Sequence, residues 1–327
     1  MDSYEFERYI ATTDTVKQVL EQYGVAIIPN ILTKNQCCSM NNGMWNTIEH
    51  LSSDWCDDFI PIDRNNSKSW KGIYRFYPIH SMLIQHYSIG HAQYAWDVRQ
   101  HDGVISAFSN IWNCDNNELL VSMDGVSCGL PFEATGRGWY KGNEWFHSDQ
   151  SFTQPEFKCI QGYVTANVVN EGDATLALLE SSHIYHADIA AKFGLTDKSN
   201  WHKLTEEQRE FYNEKGCTMK KIKCPAGSLV LWDSRTIHCG REALKTRTTP
   251  NIRNIVYVCY QPRSLSTATI RKKKINAFEN MRLTSHWASQ NVKLFPVNPR
   301  TYGSPLCPYN PLASPTVNDD KKYLIGY

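Results

Sequence analysis

Glu144-Trp145-Phe146-His147-Ser148-Asp149-Gln150-Ser151-Phe152 is the stretch from which the rest of this 327-residue chain is best read. It reads as the end of a strand that carries a histidine and, two residues later, an aspartate. On an extended backbone residues i and i+2 share a face, so His147 and Asp149 can turn an imidazole nitrogen and a carboxylate oxygen toward one point. A third donor stands 89 residues further on, His238 in Val230-Leu231-Trp232-Asp233-Ser234-Arg235-Thr236-Ile237-His238-Cys239-Gly240. Two histidines and one carboxylate, with positions left open on the metal, are the facial triad of non-haem Fe(II) sites.

A second feature lies 15 residues past His238, in Asn251-Ile252-Arg253-Asn254-Ile255-Val256-Tyr257-Val258-Cys259-Tyr260. Alternation in this strand puts Arg253 on one face with Ile255, Tyr257 and Cys259. A guanidinium aimed into apolar surroundings is costly unless an anion meets it, and its fork geometry suits a carboxylate. A dicarboxylate co-substrate that chelates the metal at one end would offer that anion at the other. Arg241 and Arg247, in the polar loop before the strand, compete for the same role. In Gln161-Gly162-Tyr163-Val164-Thr165-Ala166-Asn167-Val168, one face carries Gln161, Tyr163, Thr165 and Asn167. Locally this fits a pocket wall or a water-facing edge strand equally well, and the neighbouring motifs favour the pocket.

Working outward, residues 14–23 read as a helix capped by Thr13 or Asp14 and ended by Gly24, then a strand Val25 to Ile28. Thr33 caps a second helix to about His50, residues 52–70 read as a polar loop, and 79–97 as a third helical region. His80, His86 and His91 in that region do not share a helical face, which argues against a metal set there. From about 118 the texture becomes short apolar runs between turn signals: Leu119 to Met123, Glu144 to His147, Cys159 to Val169, Thr175 to Leu179, Met219 to Ile222, Ser228 to Trp232 and Arg253 to Gln261. This predicts a mainly β protein with flanking helices, its core a double-stranded β-helix of the jelly-roll or cupin kind. Thr205-Glu206-Glu207-Gln208 is a capping signal inside a helical insertion at about 186–216. Residues 266–292 read as helical, and 296–315, with six of the fourteen prolines, as extended.

Bulk properties narrow the function. The net charge is +1, from 34 basic and 33 acidic residues, so no field draws the chain to nucleic acid or an anionic membrane. The run Arg271-Lys272-Lys273-Lys274 is short and reads as a solvated helix face. Eleven cysteines without regular spacing fit reduced thiols rather than a disulfide framework. No signal peptide, spanning segment or peroxisomal tripeptide is present, and a cytoplasmic protein is expected. His183 and His186 have a His-x-x-His spacing that zinc ligands can take, with a structural role the favoured reading, and Cys217, Cys224 and Cys239 include no Cys-x-x-Cys pair. The glycine-rich segment Gly136-Arg137-Gly138-Trp139-Tyr140-Lys141-Gly142 reads as a turn or as a substrate-side loop.

These motifs together resemble the phytanoyl-CoA dioxygenase (PhyH-like) family of Fe(II)/2-oxoglutarate-dependent oxygenases. The resemblance rests on Tyr23 to Leu32, His147-Ser148-Asp149-Gln150, Gln161-Gly162-Tyr163, Gly172-Asp173-Ala174-Thr175-Leu176, Glu180-Ser181-Ser182-His183, Pro225-Ala226-Gly227-Ser228, His238-Cys239-Gly240 and Arg253, in order over about residues 20–265. It implies iron on His147, Asp149 and His238, Arg253 on the distal carboxylate of 2-oxoglutarate, Tyr163 and Gln161 lining the co-substrate pocket, and O2 as second co-substrate. It further implies a small or medium-sized organic substrate, and the aspartate at 149 favours hydroxylation over halogenation. His183 would be a structural residue beside the site. The chain departs from the family where Glu180-Ser181-Ser182 replaces a Pro-Gly turn, where Gly240 replaces a hydroxyl residue, and in a longer gap from His238 to Arg253. The expected layout is one oxygenase domain over 1–327: a helical layer and loops at 1–117, the jelly-roll core at 118–265, and a helix with a Pro-rich extension at 266–327. A cupin-like metal enzyme that does not use 2-oxoglutarate and a non-catalytic jelly-roll binding protein are the other classes. Arg253 argues against the first and the complete triad against the second; oligomeric state is not legible.

Overall fold

The computed structural model describes residues 3–56, 59–77, 82–301, 303 and 306–327. Two sheets face each other. In one the strands run Val25–Ile28, Leu229–Asp233, Ile160–Thr165, Arg253–Val258 and Val126–Gly129. In the other they run Ser3–Glu5, Met219–Ile222, Thr175–Leu179, His238–Arg241, His147–Ser148 and His202–Lys203. Pairing is antiparallel except for Ser3–Glu5 beside Met219–Ile222. This is the jelly-roll core that the strand spacing predicts.

The inner faces meet through Val25, Ile27, Val230 and Ile255 from one sheet and Leu176 and Leu178 from the other. The back of the five-stranded sheet, through Ala26, Val164, Leu231 and Val256, packs under the helices Lys34–Ser52, Gln93–Arg99 and Asp102–Trp112. Being covered on both faces explains why runs such as Val25-Ala26-Ile27-Ile28 are apolar throughout instead of alternating. The back of the six-stranded sheet is covered by His186–Phe193 and Glu206–Glu214, through Ile189, Phe211 and Tyr212 against Ala177, Leu179 and Cys239.

Local signals hold at several helix ends. Thr33 with Gln36, and Thr205 with Gln208, form reciprocal capping boxes, and Gly24 closes its helix at φ 76°, its N–H donating to Leu20. That helix starts later than expected, Val16–Tyr23 with Thr15 at its cap. The region 79–97 is not one helix. His80 lies outside the described residues, while Tyr87 and Ser88 take left-handed φ of 59° and 55° and leave only a short 3-10 turn Ile89–His91 and the helix Gln93–Arg99. His86 and His91 each meet a backbone carbonyl, of Pro296 and Arg282. The polar stretch 52–70 gives way to a 3-10 helix, Ser67–Phe76, and the helical stretch at 266–292 shrinks to Ala268–Glu279. Within 296–315 the described residues lie against the helical layer: Trp55 Nε1 donates to the Pro308 carbonyl at 2.6 Å and Asn310 N–H to Leu51 at 3.1 Å. No helix among the described residues is long and apolar enough to cross a membrane.

Candidate metal centre

The strand at the quoted stretch is shorter than expected, His147–Ser148 alone. It is set beside His238–Arg241 with His147 directly opposite His238, and that register brings the two imidazoles together. Asp149 follows, fixed by its own N–H donating to the Ser234 carbonyl at 3.1 Å. Asp149 Oδ2 lies 3.7 Å from His147 Nε2 and 3.5 Å from His238 Nε2. One ligand atom from each residue falls within 4.8 Å of the others, and among the described residues this is the one such His/Cys/Asp/Glu cluster found.

The tautomers follow from the partners. His147 Nδ1 faces the Trp145 carbonyl at 3.2 Å and His238 Nδ1 the Thr236 carbonyl at 2.8 Å. A carbonyl only accepts, so each Nδ1 carries the proton and each Nε2 turns a lone pair toward Asp149, the arrangement of metal-ligating histidines. Burial pushes the Asp149 carboxyl up, but His147 and His238, when protonated at Nε2, outweigh it by attraction and hydrogen bonding and hold it well below the usual range; a metal ion would take the place of those protons. Burial, reinforced by His147, lowers His238, so its neutral form is favoured. The donor set is two neutral imidazoles and one carboxylate, and it fits a divalent transition ion.

Gln161 stands next to this cluster. Its Nε2 donates to Asp149 Oδ2 at 3.1 Å, so a residue expected to line the co-substrate pocket touches the carboxylate of the cluster directly. Ile160–Thr165 is a central strand, paired on both sides. That decides the meaning of its polar face: Gln161, Tyr163 and Thr165 point between the sheets, not at water.

Across the interior, Trp232 packs 5.4 Å from His238 and 6.0 Å from Tyr163, centroid to centroid, and the Arg253 guanidinium lies 5.7 Å from the Tyr163 ring centre. Arg253 donates from Nε to Ser127 Oγ at 3.1 Å and from Nη1 to the Ala174 carbonyl at 2.7 Å, and it meets no carboxylate among the described residues. It borders a recess with Gly129, Phe132, Thr165, Ala174 and Arg247. The competitors are occupied. Arg247 pairs with Glu133 and, at 2.9 Å, with Asp173; Arg241 lies 3.6 Å from Glu144 and stacks 3.9 Å over Tyr140. Trp232 Nε1, on the ring that packs beside His238, is a buried donor with no hydrogen-bond partner. The Tyr163 hydroxyl has Thr175 beside it, and because Thr175 gives its own proton to the Ile222 carbonyl at 2.6 Å its oxygen is free to accept. Burial raises the Tyr163 phenol far above its ordinary value, which keeps it a donor. Orphaned buried donors are rare in folded proteins, and Trp232 Nε1, with Arg253 further along the interior, suits an anionic ligand.

The departures at 180–182 have a structural answer. Ser181 takes the left-handed φ of 60° that a glycine would supply, and its Oγ and N–H bond Gln22 and Tyr23 carbonyls. Glu180 accepts from Tyr9 Oη at 2.8 Å and Arg8 at 3.0 Å. His183 and His186 bond the carbonyls of Glu21 and Ser151 and do not converge. Trp139 and Tyr140 join Ala243 by a bridge and a backbone bond. Sequence reasoning missed Trp145, stacked on His147 at 4.6 Å and 6°. Alternation around His147 was the available signal. It also missed Trp201, 6.0 Å from His147, for which no local signal exists.

No family model matches the chain. It is 28% identical over 256 residues to Ava biosynthesis cluster protein O of Aspergillus versicolor, covering 75% of each chain. Among solved structures it resembles a putative oxidoreductase of Salmonella typhimurium LT2, with TM-score 0.58, 13% identity, and 98% of this chain and 86% of that one covered. It also resembles EctD of S. alaskensis in its apoform, with TM-score 0.50, 11% identity, and 80% and 81% covered. At these identities the structural likeness establishes the fold.

Proposed function

We propose that this chain is a PhyH-like Fe(II)/2-oxoglutarate-dependent dioxygenase that hydroxylates a small or medium-sized organic molecule. The observation that carries the reading is the convergence of His147 Nε2, His238 Nε2 and Asp149 Oδ2 on one point, with both histidines locked by their Nδ1 protons. Iron bound there, with 2-oxoglutarate and O2, supplies oxidative decarboxylation to succinate and CO2 coupled to hydroxylation of a C–H bond.

The residues of this chain do the rest. His147, Asp149 and His238 hold the metal and leave positions for 2-oxoglutarate and O2. Gln161 orients the Asp149 carboxylate. Arg253 receives the distal carboxylate of 2-oxoglutarate, and the protonated Tyr163 hydroxyl and Trp232 Nε1 line its path. The apolar inner faces of the sheets exclude water around these groups, which strengthens each charged contact. A biosynthesis-cluster relative accords with a small-molecule substrate.

The test is anaerobic titration of the metal-free protein with Fe(II) and then 2-oxoglutarate, followed by the visible charge-transfer band of the chelate. The band is expected. Iron binding without a band would replace this reading with a cupin-like enzyme that does not use 2-oxoglutarate, and binding of neither would leave a non-catalytic jelly roll.

A further inference from the structure

We propose that the outer rim of the metal centre is a subsite for a planar aromatic ring of the substrate, lined by Trp145 and Trp201; this rests on the oxygenase reading and deepens it. Of the ten tryptophans, Trp145 and Trp201 are the two left exposed, at 39% and 52%. Both lie against the same metal-site residue, with ring centres 4.6 and 6.0 Å from His147. Single exposed apolar side chains are ordinary on a protein surface. Two indoles that share one imidazole of the triad are a different matter.

Both rings are held in place by the site itself. Trp145 precedes His147 by two residues and donates from Nε1 to the Gly240 carbonyl at 2.9 Å. Gly240 has no side chain to fill that wall, which falls to Trp145 and Met82, at the ordinary contact distances of 3.7 and 3.5 Å from the place of a Cβ. Trp201 comes from the insertion, where His202–Lys203 pairs with His147–Ser148 in the register His147↔Lys203 and Ser148↔His202. One step further along that register sets Trp201 opposite Asp149. The loop before it is tied to the residues after the ligand: Asn200 Oδ1 accepts from Ser151 N–H at 3.3 Å, and the Asp197 carbonyl accepts from Ser151 Oγ at 2.7 Å. The short strand therefore aims an indole at the metal centre, where its exposed surface awaits a partner.

An indole face attracts another aromatic ring beyond what buried area alone provides, by an amount equal to roughly two- to tenfold in affinity. A saturated ring of equal size gains the area term only. The aromatic preference, not affinity as such, is the signature of this subsite.

Calorimetric titration of the anaerobic full-length chain, loaded with Fe(II) and 2-oxoglutarate, would compare 2-naphthamide with its decahydro counterpart. We expect 2-naphthamide to bind at least threefold more tightly, Trp201→Leu to erase that preference, and Trp201→Phe to retain it, with the chelate band intact in both variants. Equal binding of the two probes to the unaltered chain overturns the proposal, as does a preference that survives in both Trp201→Leu and Trp145→Leu. A band without aromatic preference sinks this inference alone. Aromatic preference without a band sinks the oxygenase reading and leaves the aromatic subsite standing.

Discussion

At the His147 end of the interior each ligand group of the cluster already has its partner, while at the Arg253 end a guanidinium is left without a carboxylate among the described residues. Both imidazoles spend their Nδ1 protons on carbonyls, and Asp149 is held by its own N–H and by Gln161. Arg253 meets Ser127, a carbonyl and Tyr257 but no carboxylate among the described residues. Arg247 sharpens the contrast, because it borders the same recess and is neutralised by Glu133 and Asp173. A site that must grip a metal gains from rigid, pre-paid geometry. A site that must take up and release an anion gains from a cation without an internal partner, since an internal carboxylate would compete with the ligand. On the proposed reading, the two ends differ as a permanent ligand set differs from an exchangeable one.

The largest effect should come from breaking the wired end. His238→Ala removes one of three ligands and should weaken Fe(II) affinity by more than about 100-fold, since loss of a partner behind a ligand already costs ~10–100-fold. Loss of the chelate band in anaerobic titration reads this directly. Next comes the open end. Arg253→Ala should weaken 2-oxoglutarate binding by roughly 30-fold or more, the cost of truncating one side of a buried charge pair, with Fe(II) affinity unchanged. Arg247→Ala should behave oppositely, leaving 2-oxoglutarate affinity nearly intact and lowering unfolding free energy by about 3 kcal/mol, because Asp173 loses its buried partner. Equal 2-oxoglutarate losses in the two variants would erase the distinction between the arginines.

A smaller effect is expected from Gln161→Leu, which leaves the ligands in place and frees the Asp149 carboxylate to turn. Fe(II) affinity should drop by about tenfold, and an unchanged value would reduce Gln161 to a space-filler. The smallest effect on the cleft should come from His91→Gln, in the helical layer. Burial pushes the His91 pKa down from 6.5 to about 4, so in that window the unfolded chain binds the extra proton and the folded chain does not. Stability is therefore full above pH 6.5 and lost as pH falls toward 4, by about 3 kcal/mol from this residue. Denaturant unfolding at several pH values should show a shallower acid limb in the variant, with the chelate titration at neutral pH unaltered.

The legible part of the site was the part carried by short-range pattern. His147 and Asp149 are two residues apart, and Thr33 and Thr205 announce their helices through a partner three residues on. What failed to read was set at longer range. Residues 79–97 carry apolar character in plenty, yet the left-handed Tyr87 and Ser88 break the helix, and neither residue type signals such a turn. The Glu180-Ser181-Ser182 turn departs in sequence and keeps the left-handed geometry, because contacts to Gln22 and Tyr23 hold Ser181 there.

The choice among Arg241, Arg247 and Arg253 shows where the division falls. Short apolar runs, the alternation of His147 and Asp149, and the resemblance carried by the order of the later motifs were enough to expect a mainly β chain with a two-histidine, one-carboxylate donor set and a cationic side chain nearby, since periodicity and residue chemistry are read directly from the sequence. Which arginine stays without a carboxylate, whether the Gln161 face meets water or the interior, and which tryptophans stand at the rim were decided by tertiary structure. Each depends on what a distant segment brings alongside: Glu133 and Asp173 to Arg247, the strands Leu229–Asp233 and Arg253–Val258 to Ile160–Thr165, and the strand His202–Lys203 to His147. A charge or a ring acquires its role from its neighbours, and those neighbours are set by strand register across the whole fold.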